Sequence, residues 1–180
     1  MSQGKVILEN KKFNLTLDRL CQQLIENYND FTNTCIIGIQ EKGALFSDRL
    51  MKHLMAFGDA ESIDYGKLDI TFHRDDFRRG RTLTPSKNEI DFTIEDKKVI
   101  LLDDVLYTGR TIQSAMNALQ HFGRAKSVEL MVFVDRRFNR HLPIQPNYAG
   151  ITVDALNQAY VQVKWKEDSG KDEILFFDDK

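Results

Sequence analysis

A chain of 180 residues with 42% hydrophobic and 29% charged side chains can bury a real core, and its net charge of −2 offers no global attraction to nucleic acid or anionic membrane. Two cysteines, Cys21 and Cys35, exclude a disulfide-framed secreted scaffold. No stretch is apolar for long enough to span a bilayer, and MSQGKVILENKKF contains no apolar signal region. One domain over residues 1–180, cytoplasmic and with no membrane partner, is expected.

The elements alternate. From Asn14 to Tyr28, Leu17, Leu20, Cys21, Leu24, Ile25 and Tyr28 recur at the period of an amphipathic helix, which makes Cys21 a buried small hydrophobe. Thr34–Ile39 is a short continuous apolar run, the pattern of a strand covered on both faces. Gly43 opens a second helical pattern through Leu45, Leu50, Leu54 and Phe57, and Gly58 stops it. Leu68, Ile70 and Phe72 alternate as one face of a strand. Residues 73–98 lack apolar periodicity and contain Gly80 and Pro85. A loop of that length in a compact domain is functional or disordered. Lys98–Asp103 predicts a central strand, Thr111–Phe122 a helix stopped by Gly123, and Val128–Val134 a buried strand running into Asp135, Arg136 and Arg137. Two shorter strands, Val161–Trp165 and Glu173–Phe177, flank a turn at Ser169-Gly170. Trp165 and the Phe176-Phe177 pair suit late core or subunit-contact positions. This order predicts an α/β fold with a mostly parallel sheet, whose ligands bind at the carboxyl ends of its strands.

Residues 99–111, VILLDDVLYTGRT, lie at such an end. Tyr107–Thr111 bridge a strand and a helix, so their amides, the helix dipole and the hydroxyls of Thr108 and Thr111 suit one phosphate. Gly109 admits the anion without a Cβ in the way. Neither G-x-x-x-x-G-K-[ST] nor G-x-G-x-x-G is present. Asp103 and Asp104 stand too near the turn to share its phosphate, but ionised carboxylates accept the hydrogen bonds that sugar hydroxyls donate. A ribose 5-phosphate fits both halves. Neighbouring strand residues face opposite ways, so both acids reach one ligand only if the chain is leaving the strand there.

The stretch resembles the phosphoribosyl-diphosphate signature of type I phosphoribosyltransferases: an apolar run, two acids, then a T-G-x-T turn. More narrowly, DDVLYTGRT, LDITFHRDD at 68–76 and, in looser form, VDRRFNRHLPI at 134–144 resemble the bifunctional pyrimidine operon regulator/uracil phosphoribosyltransferase family, from about Val6 to Tyr148. The resemblance implies a twisted parallel sheet flanked by helices, with a small hood and a mobile loop. It also implies Mg²⁺ near Asp103 and Asp104, assembly as a homodimer or homotetramer, and phosphoribosyl diphosphate, a nucleobase and a nucleoside monophosphate as ligands.

Residue by residue, the resemblance gives Asp103, Asp104 and Arg78 catalytic roles. It places Tyr107, Thr108, Gly109, Arg110 and Thr111 on the 5-phosphate, and Lys42 and Gly43, in the Glu41-Lys42-Gly43 turn, on pyrophosphate. Arg74 and Arg78, with Arg79 and Arg81, lie in the loop that closes over the diphosphate, which is longer in relatives. Val134, Asp135, Arg136 and Arg137 would frame the base, with Phe138 able to stack on it. Purine-specific members carry an Asp where Tyr107 stands, and tyrosine, with a pKa near ~10, is a poor base at neutral pH. That favours a pyrimidine. The chain departs from its relatives by one extra residue in the Arg136–His141 loop, and by Ile151–Leu156 in place of a Lys-Asn-Ile-Pro-Thr-Ser-like run.

Three functions compete: a uracil phosphoribosyltransferase yielding UMP and pyrophosphate, an RNA-binding regulator using the same nucleotide pocket, and a phosphoribosyltransferase for a purine. RNA binding needs a basic face, and no RNA-recognition motif with stacking aromatics is visible. Cys35, His53, His73, His121 and His141 show no metal-ligand spacing, so no zinc site is expected.

Overall fold

The computed structural model describes residues 4–28, 30–58, 62–71, 88–155 and 159–178. Phe72 and the arginine-rich loop with Arg74, Arg78, Arg79 and Arg81 lie outside these residues.

The described elements are β1 (Lys5–Glu9), α1 (Asn10–Asn27), β2 (Thr34–Ile39), α2 (Lys42–Phe57), β3 (Asp64–Leu68) and β4 (Lys98–Leu106). After them come α3 (Arg110–Leu119), β5 (Ser127–Arg137), β6 (Tyr148–Asp154), β7 (Tyr160–Lys164), the single turn α4 (Lys166–Ser169) and β8 (Glu173–Phe177). Five parallel strands form one sheet in the order β3-β2-β4-β5-β6. Three antiparallel strands form a smaller one, β1-β8-β7. The larger sheet with its helices is the expected type I phosphoribosyltransferase fold, and the smaller one answers to the expected hood.

Both faces of the large sheet are covered, which is why its strands read as continuous apolar runs. Ile36, Ile100, Leu102, Met131 and Phe133 meet Phe13, Leu17 and Leu20 of α1 and Phe46, Leu50 and Leu54 of α2 on one side. Cys35, Ile37, Val99, Leu101, Leu130 and Val132 meet Ile112, Ala115, Ala118 and Leu119 of α3 on the other. The small sheet joins the first core through Val161, Val163, Ile174 and the fully buried Trp165, which packs against Phe13, Phe46 and Phe133. Trp165 is therefore core.

Several boundaries move. Helix α1 begins at Asn10 rather than Asn14, because Phe13, a turn before Leu17, extends the buried stripe toward the N-terminus. Leu68 ends β3 instead of opening a strand, although Ile70 beyond it is also buried. The polar run Asp64-Tyr-Gly-Lys holds its place at the sheet edge, with Lys67 paired to Asp48 at 3.1 Å. Strand β6 gives a weak apolar signal since its third residue is Gly150, where a Cβ would stand 2.4 Å from the Phe133 carbonyl oxygen.

Candidate active site at the carboxyl edge of the parallel sheet

Strand β4 does not end at Asp103 as expected; it runs on to Leu106. The two acids nevertheless come together. Ile100, Leu102 and then Val105 pack into the α1/α2 core, while Val99, Leu101 and then Leu106 pack into the α3 core. The alternation of faces thus slips by one residue at the acid pair. Pairing passes from Asp103↔Val132 to Val105↔Val134, and from Val132↔Ala149 to Val134↔Ile151. Three neighbouring strands slip together, which keeps the register intact. The expectation that the chain must leave the strand is corrected: it stays in the sheet and changes phase.

Asp103 is 7% exposed, and its Oδ1 accepts from the Asp104 amide at 2.9 Å. Burial pushes the Asp104 carboxyl up to about 6, against the opposing pull of the Lys42 charge and of hydrogen bonds from the Val105 amide and Asp103.

The turn after β4 is built as an anion cradle. Gly109 has φ +91°, and α3 starts directly after it. The Arg110 amide donates to Thr108 Oγ1 at 3.4 Å and the Gln113 amide to the Gly109 carbonyl at 3.0 Å. Among the described residues nothing accepts from the amides of Thr108, Gly109, Thr111 and Ile112. Free donors at a helix N-terminus attract an anion.

Helix α2 brings its own N-terminus to the acids. An added Cβ on Gly43 would lie 2.6 Å from the Leu102 carbonyl oxygen and 3.0 Å from Asp103 Cα. Only glycine lets the helix start this close to β4. The Lys42 ammonium donates to the Val163 carbonyl of β7 at 2.8 Å, so it stands between the small sheet and the charge of Asp104.

The residues expected around the base separate. Val134 is buried in the core and Asp135 pairs with Arg140 at 2.5 Å. Arg136 is 4% exposed, with its guanidinium 3.7 Å from the centre of the Tyr107 ring, and its Nε has no partner among the described residues. Arg137 turns away and forms a bidentate pair with Asp154, at 2.6 and 2.8 Å. It lines, with Phe138, Arg140, Pro143 and Asn147, a cleft of about 570 Å³ over the β5–β6 connection. Phe138 is 65% exposed. Arg140 escapes sequence reasoning altogether. It also donates to the Tyr107 carbonyl, and the only signal for it was its place inside VDRRFNRHLPI.

Among the described residues no cluster of three or more His, Cys, Asp or Glu could hold a metal. Mg²⁺ takes one or two carboxylates and completes its shell with phosphate and water. Asp103 and Asp104, adjacent on β4 and joined by the Asp104 amide bond to Asp103 Oδ1, offer the carboxylate oxygens such an ion takes.

A profile of the phosphoribosyl transferase domain matches residues 3–168. The bifunctional protein PyrR of Picosynechococcus is 36% identical over 168 residues, covering 93% of this chain and 94% of the relative. That of Elusimicrobium minutum is 39% identical over 171 residues, 94% of each chain. A hypoxanthine phosphoribosyltransferase of Trypanosoma cruzi superposes with a TM-score of 0.74 at 12% identity, over 98% of this chain and 95% of the other. One from Staphylococcus aureus gives 0.68 at 20% identity, over 98% and 92%. These two likenesses speak for the fold alone. No described helix is long and apolar enough to cross a membrane. With a domain match over most of its length and such relatives, the chain belongs to the phosphoribosyltransferase family, alongside the bifunctional PyrR proteins.

Proposed function

We propose that this protein transfers the phosphoribosyl group of phosphoribosyl diphosphate to uracil, giving UMP and pyrophosphate, with Mg²⁺ as cofactor. The observation that carries the reading is that the amides of Thr108, Gly109 and Thr111, which find no acceptor among the described residues, follow within a few residues of Asp103 and Asp104, themselves joined by the Asp104 amide bond to Asp103 Oδ1. The amides bind the 5-phosphate, aided by the Thr108 and Thr111 hydroxyls and Arg110. The two carboxylates accept from the ribose 2′- and 3′-hydroxyls, and their charge stabilises the oxocarbenium-like centre that forms as the C1–pyrophosphate bond breaks. Asp103 and Asp104 would hold the metal, which when bound neutralises charge on the departing pyrophosphate. The Lys42-Gly43 turn adds helix N-terminal donors for that group, and Arg74 and Arg78 are proposed to close over it. Holding sugar, leaving group and base in one geometry supplies most of the remaining acceleration.

Tyr107, Val134, Asp135 and Arg136 are proposed to frame the base. The ion pair of Arg137 with Asp154 points that side chain to the cleft instead, away from the ring of Tyr107. A pyrimidine needs no protein base at N7, which suits a tyrosine at 107. Incubation with phosphoribosyl diphosphate, Mg²⁺ and a panel of bases tests the assignment. Uracil is expected to turn over; turnover of hypoxanthine or xanthine without uracil would overturn it.

A second activity, RNA-linked control of a pyrimidine operon through the same nucleotide pocket, is favoured by the word bifunctional in the relatives' names. Gel retardation of an operon leader RNA that weakens with salt supports it. No retardation at low salt removes it.

A further inference from the structure

The β5–β6 connection, residues 138–147, reaches across to the turn that follows β4. Arg140 Nη1 donates to the Tyr107 carbonyl, while Arg140 Nη2 holds Asp135 at 2.5 Å. The amides of His141 and Leu142 donate to the Thr108 carbonyl, at 3.0 and 3.3 Å. Ile144 and Leu142 flank Gly109, where a Cβ would meet them at 3.2 and 3.4 Å. Three consecutive residues of the cradle are gripped from one element.

A trans peptide is planar, with its C=O and the following N–H pointing in opposite directions. The Tyr107–Thr108 and Thr108–Gly109 peptides are trans, the cis bond of the described chain being Gln40–Glu41. A donor that holds the Tyr107 carbonyl therefore aims the Thr108 amide the other way. Donors on the Thr108 carbonyl aim the Gly109 amide likewise. These are two of the amides left without acceptors. The grip also occupies the two carbonyl oxygens whose partial negative charge would otherwise be free to swing toward a bound anion.

We infer that Arg140 is a positioning residue for phosphate binding: through the Tyr107 carbonyl it presets the Thr108 amide of the cradle for the 5-phosphate. Asp135, paired opposite Leu106 at the ends of β5 and β4, anchors the guanidinium to the sheet. The inference rests on the proposed 5-phosphate site, so the test begins with the unaltered protein.

Calorimetric titration with ribose 5-phosphate is run on the wild type and on Arg140→Ala, together with steady-state kinetics for both substrates. Loss of a charge-assisted bond to the cradle is expected to weaken ribose 5-phosphate, and to raise the KM for phosphoribosyl diphosphate, about tenfold. The KM for the base, whose proposed frame includes Tyr107 and Asp135, is expected to change by a smaller factor than that for phosphoribosyl diphosphate. A purely structural residue would lower the folded fraction without moving the affinity of what remains folded. If Arg140→Ala does not fold, Arg140→Lys is measured instead. It keeps the charge but lacks the planar fork that reaches two acceptors, and a several-fold loss is expected. Equal affinity in wild type and the folded variant overturns the inference and leaves the 5-phosphate site standing. A wild type that does not bind ribose 5-phosphate removes the site, and the inference with it.

Discussion

The small antiparallel sheet and the carboxyl edge of the large one treat polar groups in opposite ways. Around the small sheet, charges close on partners within the chain. Arg49 of α2 donates to Glu167 at 2.9 and 2.6 Å and to Asp172 at 2.6 Å, and lies 5.2 Å over the Trp165 ring. Lys164 pairs with Glu173 at 2.9 Å. At the carboxyl edge, amides at the start of α3 find no acceptor among the described residues, and desolvation holds the half-buried Asp104 carboxyl up at about 6. A fold tolerates such groups where a ligand completes them, because an unpaired buried polar group is costly. The charges of the first region are paired as folded; the cradle amides of the second await an acceptor.

If that contrast is right, substitutions should divide into those that cost stability and those that cost activity. The largest effect is expected from Trp165→Ala, which empties an aromatic cluster and should cost about 3–5 kcal/mol in urea unfolding, with ribose 5-phosphate affinity unchanged in the folded fraction. Next comes Asp104→Asn, for which turnover should fall about 10²–10³-fold while the melting temperature does not drop. A loss of activity that merely tracks unfolding would erase the distinction. Gly43→Ala sits on the border. Its Cβ must push α2 off the Leu102 carbonyl, so a destabilisation of about 1–3 kcal/mol is expected together with a lower kcat.

The smallest effect is one of pH. Asp104 holds its proton up to about 6 in the fold, against 3.8 ordinarily, so the native state binds the proton more readily than the unfolded chain between those values. This group's contribution to stability is present at low pH and lost as pH rises through the folded value. Asp104→Asn lacks that loss. Its unfolding free energy relative to wild type should therefore rise by about 1–2 kcal/mol between roughly pH 4 and pH 8. A flat difference would mean that the carboxyl is not desolvated.

What was legible in the sequence was local. The chemistry of DDVLYTGRT sits in contiguous residues, and the helices and central strands announce themselves by periodicity. The phase slip at Asp103-Asp104 was not legible, since three strands make it jointly and no one strand carries a signal for it. Nor was the Lys42 bond to Val163, which links residues brought together only by the small sheet. From sequence, Arg137 is expected at the base and Arg140 carries no role, yet Arg140 faces the cradle and Arg137 pairs with Asp154. Edge strand β3 hid behind Asp64, Gly66 and Lys67, whose polarity is paid for by ion pairs and by close packing under Ile90.

The central claim is most directly tested by following backbone amides in a nitrogen-15 NMR titration with ribose 5-phosphate. Saturable shifts are predicted for Thr108, Gly109 and Thr111, with Val161 and Val163 of the small sheet unmoved. Cradle amides that stay still at millimolar ligand, or shifts confined to the small sheet, would contradict the account.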